Sequence, residues 1–145
     1  MASDLRRRLR RDEGQALTEL SLTVGFLCLM LLAVWQVGTV FSNYIDLSEA
    51  AREGARAAAL TGAPTTAGDT ASLTAAQSNG NFAASNSASV PGMTVSIAAV
   101  GTWLAGGKVR AVVSAPYSLS LFGIITVASG TMSVTDDMRV HRQGA

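Results

Sequence analysis

The chain has 145 residues, enough for one small domain and a membrane segment. Charged residues make up 14% of it and the formal net charge is +1, which leaves no bulk electrostatic case for a nucleic-acid partner. Its single cysteine, Cys28, excludes a disulfide within the chain, so any exported part folds without one.

The amino-terminal segment is basic. Arg6, Arg7, Arg8, Arg10 and Arg11 crowd ahead of Gly14, and Met1 to Glu13 reads as a polar leader without fixed structure. Gln15-Ala16-Leu17-Thr18-Glu19 follows, and then an apolar run from Leu20 to Phe41. As a helix that run rises roughly 33 Å at 1.5 Å per residue, enough to span a hydrocarbon core of about 30 Å. Signal-peptide cores are shorter and end in a small-residue cleavage site. Here the run continues into Ser42-Asn43-Tyr44-Ile45-Asp46, so a retained membrane helix is expected. Basic flanks stay cytoplasmic, which predicts a single pass of the cytoplasmic (inner) membrane, with the N-terminus inside and the C-terminus outside. Glu19 sits at the mouth of this helix. A carboxylate within a membrane segment costs roughly 2.5–3.5 kcal/mol on insertion scales, so it needs a partner. A cut after Gly14 would create one, as a new amino terminus.

No proline interrupts Gln15 to Leu60, although Gly25, Gly38 and Gly54 weaken it locally. A long helix over 15–60 is predicted, with an amphipathic outer half. Tyr44, Leu47, Ala51, Ala55 and Ala58 recur at helical spacing and form its apolar face. Glu49 with Arg52 and Glu53 with Arg56 are spaced for surface ion pairs of about 0.3 kcal/mol each. Thr61-Gly62-Ala63-Pro64 ends the helix. A second helix is plausible from about Gly68 to Ala84, with Asp69 near its start and Leu73, Ala76 and Ala83 inward. Gly80 and the nearby asparagines count against it, and the competing reading is a loop.

From Val90 the period changes to two. Met93, Val95 and Ile97 make one alternating run; Val109, Ala111, Val113, Ala115 and Tyr117 make another. Gly106-Gly107 between them predicts an antiparallel hairpin. Pro116 marks the end or the edge of the second strand. Ala128, Gly130, Met132 and Val134 give a third strand. Ser118 to Ile125 is too apolar for a free loop and is expected to tuck under the sheet, or else to present a contact patch. Arg139 to Ala145 reads as a polar end. The whole is α+β: a long N-terminal helix packed on a small antiparallel sheet over 61–145, a sheet too small to stand uncovered.

Nothing in the chain suggests an enzyme. His141 is the only histidine and lies in the tail, no metal-ligand spacing is present, and no cofactor is implied. Asp136 and Asp137 are adjacent on a strand and point to opposite faces.

The basic leader, Gly14 and Gln15-Ala16-Leu17-Thr18-Glu19 before an unbroken apolar helix resemble the class III signal of type IV pilins. Gly14 to Leu20 taken with Ala50-Ala51-Arg52-Glu53-Gly54-Ala55-Arg56 is similar to the TadE-like pseudopilins of tight-adherence pilus systems. Pro116-Tyr117, the apolar turn and the closing strand to Val140 add to the likeness, which extends from Arg11 over nearly all the chain. Two features depart from the pattern. The mature chain would begin with Gln15, not phenylalanine, and Val24-Gly25 stands where such chains often carry a proline. The resemblance implies a minor pilin cut between Gly14 and Gln15 by a prepilin peptidase, with the leader arginines holding the site on the cytoplasmic side. Glu19 would then meet the ammonium of Gln15, its own or a neighbour's, and set the register between subunits. The implied partners are that peptidase, other pilin and pseudopilin subunits, the pilus assembly machinery and membrane lipid, with incorporation into the surface pilus. The alternative is an unprocessed, membrane-tethered binding module.

Overall fold

The computed structural model describes residues 2–61, 69–121 and 125–140, with side chains from Gly14 onward except those of 121 and 125. Its elements in chain order are α1 (Ala2–Leu60), α2 (Thr70–Ser87), β1 (Thr94–Val100), β2 (Lys108–Leu121) and β3 (Ile125–Arg139).

Helix α1 passes Gly25, Gly38 and Gly54 without a break. It also starts earlier than expected. Residues 2–13, read as lacking fixed structure, are its first turns. Arginine and leucine are good helix formers, and neither glycine nor proline occurs before Gly14. The chain divides into two compact units, Met1–Gly38 and Thr39–Ala145. In the first, the apolar side chains from Leu17 to Val37 face outward: Leu22, Val34 and Trp35 are each at least 70% exposed.

In the second unit, the α1 face formed by Leu47, Ala50, Ala51, Gly54, Ala55, Ala58 and Ala59 is buried. Tyr44 was expected on this face but is exposed, because the face loses its cover one turn before Leu47. The expected Glu49–Arg52 and Glu53–Arg56 pairs do not form. Among the described residues the salt bridge is Arg110–Asp137, whose side chains are held together across the sheet.

Helix α2 confirms the second-helix reading and moves it slightly toward the C-terminus. Asp69 is its N-cap, accepting from the Ala71 amide at 3.0 Å. Its buried positions are Ala76, Gly80 and Ala84; Ala83 is only half-buried. Gly80, which reads as a weakness, is where α1 and α2 touch. A Cβ there would lie 2.8 Å from the Gly54 carbonyl oxygen and 3.1 Å from the Ala58 Cβ.

The three strands form one antiparallel sheet in the order β1-β2-β3. Val109, Ala111, Val113 and Ala115 point into the core from β2, and Lys108, Arg110, Val112 and Ser114 occupy its other face. Pairing with β1 stops at Thr94–Ser114, so Pro116 lies where that side of β2 is an open edge and a missing N–H breaks no ladder bond. The strand itself continues. Ser118 to Leu121 extend β2 and pair with β3 across a shift at Leu119/Ser120, so this stretch does not tuck under the sheet. Thr126 to Thr131 opposite are exposed. Residues 122–124 lie outside the described residues.

The core has two clusters. Leu47, Ala50 and Ala51 meet Val113, Ala115, Ala84 and Val90. Ala55, Ala58 and Ala59 meet Ile97, Val109, Ala111, Ala76, Trp103 and Val140. The expected polar tail does not begin at Arg139: that residue ends β3, Val140 is buried, and the Val140 N–H donates to the Gly107 carbonyl at 2.9 Å. Gly106 returns the contact, donating to the Val140 carbonyl at 3.0 Å from a φ of 80° that suits glycine. The Gln77 amide donates to the Ile97 carbonyl at 2.9 Å, so α2 covers part of the free β1 edge.

Candidate functional site

The residues singled out by sequence, Gly14, Gln15 and Glu19, stand together on α1. A Cβ built on Gly14 meets nothing within 4 Å among the described residues, which make no steric demand for glycine there. Gln15 and Glu19 are four apart, which puts them one turn above each other on one side of the helix. The Gln15 carboxamide donates through Nε2 to Glu19 Oε1 at 3.2 Å. Sequence reasoning assigned Glu19 to a new ammonium and overlooked this amide, although the spacing of an amide and a carboxylate was the available signal.

The hydroxyls of this segment turn back onto the helix. Thr18 donates to the Gln15 carbonyl at 2.7 Å and lies 3.3 Å from that of Gly14. Ser21 donates to Leu17 and Thr23 to Glu19, each at 2.8 Å. Such back-bonding satisfies hydroxyls that hydrocarbon would leave unpaired. The hydroxyls here are thus closed on the helix, while Glu19 keeps a second oxygen. A carboxylate accepts through two oxygens, and Oε2 has no partner among the described residues.

Arg6, Arg7, Arg8, Arg10 and Arg11 lie on the first turns of α1, and their side chains are outside the described ones. His141 is outside the described residues. Cys28 is free and exposed on the apolar part of α1. Asp137 pairs with Arg110 on the wet face of the sheet, at 2.7 Å and 2.8 Å, while Asp136 stands opposite Ala111 on the core side. The two carboxyls do not converge. From Gly14 onward α1 is long and apolar enough to cross a membrane.

The model of the TadE-like protein family matches residues 14–56. That span takes in Gly14, Gln15, Glu19, the apolar run and the Ala50–Arg56 segment, and stops short of α2 and the sheet, a narrower reach than Arg11 onward. Comparison with curated proteins gives no match, and comparison with solved structures gives none. Over residues 14–56 this chain is similar to the TadE-like proteins.

Proposed function

We propose that this chain is a minor pilin, or pseudopilin, of a tight-adherence type IV pilus, acting in its initiation, assembly or capping. A prepilin peptidase cuts it between Gly14 and Gln15 on the cytoplasmic side, where the leader arginines hold the site. The freed Gln15 ammonium pairs with Glu19 of a neighbouring subunit or its own, inside a bundle of apolar helices. Its further partners are other pilin and pseudopilin subunits, the assembly machinery and membrane lipid. Its role is structural and not enzymatic.

The observation that carries this reading is the oxygen of Glu19 left open among the described residues, at the start of the apolar, outward-facing run of α1. A carboxylate there is costly in hydrocarbon unless a cation meets it. Register-setting is the best-attested use of such a buried polar group. The space about Gly14 adds support. Among the described residues nothing crowds Gly14, which leaves its backbone open to the close approach of a peptidase. The family match over 14–56 favours the same assignment.

The test is the mass and first residue of the protein recovered from cells. Gln15 is expected first. Recovery only at full length, with the arginine leader attached, would instead mark the chain as a tethered module.

A further inference from the structure

We infer that Glu19 has a second task, which rests on the cut proposed above: it keeps the new terminal glutamine from closing on itself. Gln15 would carry a free α-amine beside its own carboxamide. In that arrangement the α-nitrogen can attack the side-chain Cδ. A C–N bond forms, the bond to Nε2 breaks, and Nε2 leaves as ammonia with a proton from the amine. The product is a five-membered lactam. No oxidant or co-reactant is needed. The lactam nitrogen is not basic, so the terminal positive charge is lost, and with it the cation that Glu19 would meet.

Two contacts oppose this closure, and both lie downstream of the cut. The Gln15 carboxamide reaches toward the C-terminus to Glu19, at 3.2 Å, so its Cδ is drawn away from the α-nitrogen. The Thr18 hydroxyl holds the Gln15 carbonyl at 2.7 Å, fixing the backbone on which the carboxamide turns. Glu19 can do both tasks at once. Oε1 accepts from the carboxamide, and Oε2 stays open for an ammonium.

The test uses the chain with residues 1–14 replaced by a leader that a site-specific protease removes, leaving Gln15 first, purified in detergent. Lactam formation is followed by loss of ammonia in the intact mass and of the reactive terminal amine. Glu19→Ala is expected to close about fivefold faster than the parent, the factor that one net hydrogen bond supplies. Glu19→Gln keeps an acceptor oxygen and should close at nearly the parent rate. Equal rates for the parent and Glu19→Ala would overturn the inference, as would a Glu19→Gln rate matching that of Glu19→Ala. Helix content by circular dichroism checks that the variants keep α1. The first residue of protein taken from cells separately tests the cut, so failure of one idea is distinguishable from failure of the other.

Discussion

Gly54 on α1 and Gly80 on α2 meet backbone to backbone, with no room for a methyl group between them. A Cβ on Gly80 would stand 2.8 Å from the Gly54 carbonyl oxygen, and one on Gly54 would stand 3.0 Å from the Ala84 Cβ. The neighbour at Gly80 is backbone and cannot swing aside. Gly80→Ala should therefore destabilise the protein by about 1–3 kcal/mol through overpacking, outweighing the roughly 1 kcal/mol of helix propensity that alanine gains. Gly38→Ala, with nothing within 4 Å, is the matched control and should gain or be neutral. Thermal unfolding of the full chain in detergent checks both.

Trp103 closes the end of the core in the loop after β1. It is 3% exposed and packs in the cluster of Ala59, Val109 and Val140. Its indole N–H donates to the Ser72 hydroxyl at 3.0 Å, and that hydroxyl donates to the Asp69 carbonyl at 3.0 Å. Trp103→Ala should cost about 3–5 kcal/mol. Ser72→Ala leaves a buried indole N–H unpaired and should cost about 1–3 kcal/mol. In a double-mutant cycle with Trp103→Phe, the Ser72→Ala effect should shrink to a few tenths, because the group it orphans is gone.

Arg110 and Asp137 form a two-pronged pair across β2 and β3. The hydrogen bond to Arg110 holds the Asp137 carboxyl below its ordinary value, against a smaller opposing effect of desolvation, and the same bond raises the Arg110 guanidinium. A carboxyl depressed in the folded state stabilises it above the unfolded value, about 4. That contribution fades as pH falls through the depressed value. Unfolding midpoints followed from neutral pH downward should decline for the parent in this acid window. Asp137→Asn should start slightly lower and decline less. Parallel curves would exclude the pair as a source of acid sensitivity.

Much of this fold is legible in the sequence because its signals are periodic. The α1 face from Leu47 to Ala58 and the alternation of Val109, Ala111, Val113 and Ala115 state which side is covered. Periodicity gives a direction and not an extent, which is why Tyr44, one turn outside the cover, reads as core and is exposed. Gly80 misleads for a different reason. Propensity counts it against a helix, and only the approach of a second helix reveals its use. Ser118-Leu119-Ser120-Leu121 does alternate, so its continuation of β2 was available; its apolar character suggested tucking instead. Trp103 carries no pattern at all, since a lone aromatic in a glycine-rich loop is consistent with either surface or core. At the candidate site the three residues lie within one short stretch, and spacing alone brings Gln15 to Glu19.

Substitutions at Gly14 and Glu19 separate the cut from the assembly that follows it. No described residue lies within 4 Å of a Cβ on Gly14, so Gly14→Leu should leave folding and membrane insertion intact. Accumulation of the full-length precursor in that variant would then report on the peptidase and not on the fold. Glu19 lies beyond the scissile bond, and both Glu19→Ala and Glu19→Gln should be cut. They differ in what remains. Alanine removes the carboxylate and the acceptor of the Gln15 carboxamide together, whereas glutamine keeps an acceptor and removes only the charge. If the ammonium of one subunit needs an anion in the apolar bundle, leaving it unpaired costs about 3–5 kcal/mol per contact, enough to abolish incorporation. Glu19→Gln should therefore give a processed, open-ended terminus that stays in the membrane fraction and is missing from sheared pili. Incorporation of that variant at the parent level would show that charge pairing does not hold the subunits in register.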